Sequence, residues 1–580
     1  MNEKDKNKQK KLAIGNYAVA RGAFEAGVTV SSAYPGTPST EITEFLAKYA
    51  EVTAEWSPNE KVAAEVGIGA AVAGARAIVA MKHVGLNVAA DPIFTASYTG
   101  VNGGLVIAVA DDPGVHSSQN EQDSRYYALS AKIPMLEPSD SQEALDFTRL
   151  AFDLSERYDT PVFIRMTTRV AHSQSFITEG ERQDIPLKPY EKNADKYVMM
   201  PAGARARRIA VEERTLALQK DVDAFSINRA ELNNTDLGIV CAGGVYQYVK
   251  EAAPDASVFK VGSVYPLPLG AVAEFSRRVK RLIVVEELDG FIENALKAAG
   301  IACEGKNLIS PTGELNAGKV RAALFNAAVP APSATVGRPP VLCPGCPHRG
   351  MFAVINKLRL NVFGDIGCYT LGAMPPLNAL DTVICMGASI GMAIGAEKAR
   401  GREFAKKSLA VIGDSTFVHS GITGLIDAVY NNLNTKILIV DNSTTGMTGH
   451  QPHPGTGRTI YDEPTYKLDF ADVARACGVK NIAVVNALDI KAAEAEIKRQ
   501  LSLDGVSLII AKEPCALLGK QKRPPFAVTS GCKNCKACVR IGCPAIVNRP
   551  DAPVIDAALC SGCGLCARVC PFKAIAGEGV

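Results

Sequence analysis

Residues 408–450 constrain the fold most, because they read as one strand–helix–strand unit with a polar cluster at the end of each strand. Residues 408–412 (Ser-Leu-Ala-Val-Ile) and 436–440 (Lys-Ile-Leu-Ile-Val) are apolar runs of buried-strand type, and residues 421–432 carry helical apolar spacing. That order makes a parallel pair, so Gly413-Asp414-Ser415 and Asp441-Asn442-Ser443-Thr444 fall at the same C-terminal edge, where loops and helix N-termini converge on ligands. The Asp414 carboxylate, the Asn442 amide oxygen and the Thr444 carbonyl are hard donors. They suit Mg²⁺, which takes few protein ligands and completes its shell with phosphate and water. Gly413 lets the backbone approach closely, while Thr444, Thr445, Gly446, Met447, Thr448 and Gly449 offer hydroxyls and bare N–H groups to a diphosphate. Gly-rich turns at Gly367 and Gly387 fit a floor of bare backbone beneath a large cofactor.

The last fifty residues carry half of the sixteen cysteines. Cys532-x₂-Cys535-x₂-Cys538-x₄-Cys543-Pro and Cys560-x₂-Cys563-x₂-Cys566-x₃-Cys570-Pro are two copies of the bacterial ferredoxin run, in which three thiolates wrap one cubane and the fourth crosses to the other. Cys532, Cys535, Cys538 and Cys570 are therefore expected on one [4Fe–4S] cluster, and Cys560, Cys563, Cys566 and Cys543 on the second. The extra residue before Cys543 departs from the run and makes that corner the weakest assignment. A zinc ribbon is the alternative, and the Cys-Pro endings and duplicated triplets favour iron–sulfur.

Upstream, short apolar strands at 28–33, 77–80, 105–109 and 161–164 alternate with helical patterns, the mark of an open parallel α/β domain. The first runs into Tyr34-Pro35-Gly36-Thr37-Pro38-Ser39-Thr40, where Ser39 or Thr40 can cap a helix and Thr37 is left at the ligand edge; as sequence physics alone, this is a loop and an N-cap. Glu60 stands in the first turn of a small-residue helix over 62–74, where the helix dipole favours a carboxylate. A loop over 81–87 carries His83, and the polar run 111–123 reads as a lid. The βα rhythm returns at 237–244, 259–262 and 281–287, and prolines at 330–340 mark a boundary. The organisation expected is a polar tail (1–11), α/β domains at 12–190, 191–335 and 336–525, and a cluster domain at 526–580.

Ordinary globular composition and a net charge of +3 argue against nucleic acid or an anionic membrane as partner. The Lys-rich start lacks the apolar core of a signal peptide, and no apolar run reaches membrane-spanning length, so a cytoplasmic protein is expected.

Asp414 and Asn442 resemble the metal ligands of the thiamine-diphosphate motif, Gly-Asp-Gly followed by Asn-Asn, with Ser415 and Asp441 as departures. Nearly the whole chain is similar to the large (alpha) subunits of the indolepyruvate branch of the 2-oxo acid:ferredoxin oxidoreductases. The likeness rests on residues 34–38, 81–87, Cys343-Pro344-Gly345-Cys346-Pro347-His348-Arg349, 413–415 and 443–454. The resemblance implies an α/β fold with several open parallel-sheet domains of thiamine-enzyme type and a C-terminal two-cluster ferredoxin-like domain. It also implies the reaction of an arylpyruvate with coenzyme A and ferredoxin to give an aryl-acetyl coenzyme A and CO₂, and a hetero-oligomer with a smaller beta subunit. Glu60 matches the glutamate that hydrogen-bonds the aminopyrimidine and promotes deprotonation of the thiazolium carbon, and Thr37 a threonine near the substrate carboxylate. His83, His348 and His450 are candidates for acid–base or carboxylate contacts. A third [4Fe–4S] cluster is expected on Cys343, Cys346, Cys368 and Cys515, with Gly367 leaving room for it; a structural zinc or inert cysteines are the alternatives. Two other functions stay open: the same chemistry on a branched-chain or phenylglyoxylate-type acid, and an electron-transfer subunit without thiamine catalysis.

Overall fold

A computed structural model describes residues 10–328, 340–519 and 523–577, which divide into two compact units, Met1–Ala334 and Thr335–Val580. The first nine residues and the proline-rich stretch at 329–339 lie outside the described residues. Among the described residues, no helix is long and apolar enough to cross a membrane.

The first unit is built on a seven-stranded sheet with the order Ser263–Tyr265, Met135–Leu136, Val162–Thr167, Leu105–Asp111, Ala77–Lys82, Val30–Ala33, Thr53–Trp56, parallel except for the first strand. Its central strands are buried throughout, as continuous apolar runs covered on both faces must be. A four-stranded sheet, ordered Arg281–Val285, Asn234–Ala242, Ala256–Val261, Arg229–Glu231, shares a core with one face of the first through Val240, Phe259 and Phe275. Several details depart from the sequence reading. Strand structure begins at Lys10, within the expected polar start, because Lys10–Ile14 pairs antiparallel with Gln174–Thr178, a strand that the apolar runs did not mark. Residues 83–88 form the helix His83–Val88 instead of a loop. Ser39 sits at the start of helix Thr40–Leu46 but does not cap it, since its hydroxyl donates to the Gly36 carbonyl (2.8 Å). The run read as a lid is tied down. Asp112 accepts from the Ser117 N–H (2.8 Å) and the Ser118 hydroxyl (2.6 Å), and Lys82 Nζ donates to the Ser117 carbonyl (2.7 Å).

The second unit holds a five-stranded parallel sheet ordered Asn361–Phe363, Ser408–Gly413, Lys436–Asp441, Ser507–Lys512, Asn481–Asn486. Leu409, Val411, Leu438 and Ile509 face one core, and Ala410, Ile412, Ile437 and Ile439 the other. Each fully buried aliphatic side chain contributes about 1.5–3 kcal/mol, which secures the register. Gly413 pairs with Val440, so Asp414 and Asp441-Asn442 leave neighbouring strands at one edge. The tail has short antiparallel ribbons, Phe526–Val528 with Ile575–Gly577 and Ile546–Val547 with Val554–Ile555, around a core that includes Leu488, Ile541 and Leu565.

Candidate functional site

At the strand ends of the second unit, Asp414 is buried (3 % exposed), with Oδ1 accepting from the Ser415 N–H (2.9 Å) and Oδ2 standing 3.2 Å from His453 Nε2. Burial alone would raise its pKa, but the His453 imidazole together with hydrogen bonds from the Ser415 N–H and Asp441 holds the carboxyl below its ordinary value. Burial, followed by the charge of Asp414, pushes Asp441 up to about 6. The Asn442 amide lies against both Asp414 and Thr444: turned so that its Nδ2 donates, it bonds Asp414 Oδ1 (3.3 Å) and the Thr444 carbonyl oxygen (2.8 Å). A carboxylate, a side-chain amide and a backbone carbonyl thus converge, and with the amide oxygen turned inward they make an all-oxygen donor set of the chemistry that suits Mg²⁺. Next to it the Thr445 hydroxyl donates to Ser415 Oγ (3.0 Å), the Thr448 hydroxyl donates to Gln451 Oε1 (2.6 Å), and Met447 is exposed. His453 had been given no role from sequence. It reaches Asp414 from 39 residues away in the chain, a pairing no local spacing encodes.

The glycines of this edge make room for side chains. A Cβ at Gly413 would stand 2.5 Å from the Tyr369 ring, and one at Gly367 would meet the same ring. Tyr369 donates to the Ile366 carbonyl (2.9 Å). Gly387, at φ +86°, starts helix Ala388–Arg400, whose first N–H groups are held by Asp365: Gly387 N donates to Oδ1 (2.8 Å) and Ser389 N to Oδ2 (3.0 Å). Gly446 keeps a bare face, where a Cβ would sit 3.4 Å from both Asn442 Nδ2 and Cys368 Sγ.

The same edge gathers cysteines. The Cys515 N–H donates to the Asn442 carbonyl (2.9 Å), and Cys515 Sγ lies 3.7 Å from His450 Nε2. Cys343, Cys346, Cys368 and Cys515 are electrostatic neighbours of one another. Burial first, then the nearby thiols, pushes Cys346 up to about 12 and Cys368 to about 11. His348 is buried, edge-on to Tyr369 with centroids 6.0 Å apart, and burial pushes it down to about 4. In the tail one cavity is lined by Cys543, Cys560, Cys563 and Cys566, and another by Cys532, Cys535, Cys538 and Cys570. Among the described residues no three His, Cys, Asp or Glu could hold a single metal ion.

In the first unit, Thr37, Glu60 and His83 follow three adjacent parallel strands, Val30–Ala33, Thr53–Trp56 and Ala77–Lys82. Glu60 opens helix Glu60–Val72, capped by Asn59 Oδ1 accepting from the Val62 N–H (3.0 Å), and is 4 % exposed. It packs against the next helix, where a Cβ at Gly85 would stand 2.5 Å from Glu60 Oε1. His83 Nε2 is 3.3 Å from the Asn120 carbonyl, and burial lowers its pKa. Thr37 is half-buried.

Three family models match the chain: "Pyruvate flavodoxin/ferredoxin oxidoreductase, thiamine diP-bdg" over residues 21–223, "Thiamine pyrophosphate enzyme, C-terminal TPP binding domain" over 365–511, and "4Fe-4S binding domain" over 553–576. Thiamine diphosphate and iron–sulfur are thus the cofactors of the matched domains. Among similar curated proteins, the indolepyruvate oxidoreductase subunit IorA of Archaeoglobus fulgidus is 40% identical, the match covering 99% of this chain and 98% of that protein. Those of Methanothermobacter marburgensis and Pyrococcus horikoshii are each 40% identical, with 98% of this chain and 97% of each relative covered. The sheets, the oxygen-lined strand ends and the paired cysteine cavities are accordingly those of a chain that belongs to the indolepyruvate oxidoreductase IorA family, within the 2-oxo acid:ferredoxin oxidoreductases.

Proposed function

We propose that this chain is the thiamine-binding, electron-relaying subunit of an enzyme that oxidatively decarboxylates an arylpyruvate, with indolepyruvate as the preferred substrate. Coenzyme A takes up the acyl group to give aryl-acetyl coenzyme A and CO₂, and ferredoxin takes the electrons. The smaller partner subunit is part of the working hetero-oligomer, in the cytoplasm; the relatives' own designation as subunits supports this. The observation that carries the reading is the Cys515 N–H donating to the Asn442 carbonyl (2.9 Å), which ties the cysteine set to the strand end that bears the hard-oxygen site.

Bound thiamine diphosphate supplies a carbon nucleophile next to the substrate carbonyl and a sink for the electrons left by decarboxylation. Asp414, Asn442 and the Thr444 carbonyl would hold Mg²⁺ and through it the diphosphate, with Gly446, Met447 and Thr448 as the adjoining loop. Gly367, Gly387 and Gly413 shape the framework around that site, Ser415 supports Thr445, and Thr37 is assigned to the substrate carboxylate. Glu60 is assigned to the aminopyrimidine, where a carboxyl group can share a proton with a ring nitrogen. The four cysteines beside Asn442 would hold a third [4Fe–4S] cluster in addition to the two of the tail, for single-electron transfer.

Mass spectrometry of the denatured protein for thiamine diphosphate comes first; its absence from active preparations would refute the catalytic assignment. With the smaller subunit present, viologen reduction is then compared for indolepyruvate, a branched-chain 2-oxo acid and phenylglyoxylate. A higher kcat/KM on either of the last two would move the substrate assignment to that class.

A further inference from the structure

Arg349 is buried to 2 % exposure on helix His348–Leu358, and among the described residues it has no carboxylate partner. Its guanidinium donates only to carbonyls. Nε reaches Cys343 (3.3 Å) and Nη2 reaches Leu342, while Nη1 reaches Ile541 (3.2 Å) and Gly542. One side chain therefore joins the turn that carries Cys343 and Cys346 to the loop that delivers Cys543. The two cysteine loops also meet directly, because Gly345, between Cys343 and Cys346, presses against Ser561, between Cys560 and Cys563. Arg349 lines the cavity of Cys543, Cys560, Cys563 and Cys566, and its titratable neighbours are the thiols of Cys543, Cys346, Cys343 and Cys563.

A buried cation without a counter-ion is strongly disfavoured, and carbonyls alone could be served by a neutral donor. Its compensating charge must come from the cysteine sites, and a cluster held by four thiolates is a net anion that gains one more negative charge on reduction. We propose that Arg349 sets the reduction potentials of the two clusters it separates, favouring the reduced state of each and so keeping the pair in electron exchange. The inference rests on the reading that Cys343, Cys346, Cys368 and Cys515 hold one cluster and Cys543, Cys560, Cys563 and Cys566 another. In the step, one electron leaves one cluster, which is oxidised, and enters the other, which is reduced; no bond or proton moves. The set of Cys532, Cys535, Cys538 and Cys570 lines a separate cavity without Arg349, and its cluster serves as an internal reference.

The test is a potentiometric titration followed by electron paramagnetic resonance on the holoprotein, comparing wild type with Arg349→Gln and Arg349→Lys and measuring iron in each. Arg349→Gln is expected to keep its iron and to shift two cluster potentials downward by at least a tenfold change in redox equilibrium, about 59 mV for one electron. Arg349→Lys, which keeps the charge and loses most of the carbonyl bonds, is expected to stay near wild type. Unchanged potentials in Arg349→Gln overturn the proposal, and so does an equal shift in both variants. Should Arg349→Gln lose a cluster, Arg349→Lys decides: full iron at wild-type potentials supports the charge role, whereas lost iron or lowered potentials reduce Arg349 to a staple between loops. The iron content of wild type tests the underlying reading separately, since about eight irons per chain would remove the first cluster without touching the variants' effect on the second.

Discussion

Asp414 is the hub of the oxygen site: it meets the Asn442 amide, accepts from the Ser415 N–H and stands against His453. Asp414→Ala is expected to abolish retention of the divalent cation and diphosphate and to lower activity on the order of a thousandfold or more, as removal of a focused charge does in a buried site. The tail signals in electron paramagnetic resonance should persist. Near-normal turnover in this variant would remove Asp414 from the cofactor site. His348 offers a pH prediction. Burial keeps its imidazole neutral down to about pH 4, whereas an unfolded histidine takes up a proton near 6.5. The stability tied to neutral His348 is therefore fully present above pH 6.5 and is lost as pH falls from 6.5 towards 4, by roughly 3 kcal/mol in all. Melting curves at pH 7.5 and pH 5 should show a larger drop in Tm for wild type than for His348→Gln; equal drops would place the acid sensitivity elsewhere. At this scale Asp414, Asn442 and Glu60 could be picked out from sequence, whereas His453 and Tyr369 could not. The first three sit at strand ends or a helix start, and the other two matter only through what they touch across the fold.

Among the elements, helix His83–Val88 decides how Glu60 is held, and Gly85 is its contact point. A methyl group added there stands 2.5 Å from Glu60 Oε1, so either the helix or the carboxylate must move. Overpacking of this kind costs about 1–3 kcal/mol. Gly85→Ala is expected to lower kcat up to about a hundredfold with the circular dichroism spectrum retained. Full activity with an intact fold would show that the position of Glu60 is not critical. The strand–helix–strand unit of 408–441 was legible because its strands are uninterrupted apolar runs. The helix at residue 83 was not, because Val84-Gly85-Leu86-Asn87 has too few apolar positions to show a period. The strand at residue 10 escaped for a related reason: its partner, Gln174–Thr178, is mostly polar, and only Ile177 in it is buried.

At the scale of the whole molecule, each unit has its own parallel sheet and its own set of polar strand ends. Three cubanes in the second unit require about twelve irons per chain, and two require about eight. Anaerobically purified protein is expected near the higher figure, with Cys343→Ser and Cys515→Ser each losing about four. Eight irons in wild type, unchanged in both variants, would dismiss the third cluster and leave the tail pair standing.

Sequence by itself determined the alternation of buried strands and helices, the edge at which Asp414 and Asn442 emerge, and the two fourfold cysteine runs, because these are properties of neighbours along the chain. The ferredoxin-type runs also led to the expectation that Cys543 and Cys570 cross, and Cys543 does share a cavity with Cys560, Cys563 and Cys566, and Cys570 one with Cys532, Cys535 and Cys538. Only tertiary structure decided that His453 steadies Asp414, that Gly367 and Gly413 make way for Tyr369, that Ser263–Tyr265 completes the first sheet, and that a buried guanidinium ties the Cys343 carbonyl to those of Ile541 and Gly542, next to Cys543. Most of those contacts join residues tens to hundreds of positions apart, and their energies come from burial and charge in three dimensions, which a linear pattern does not record.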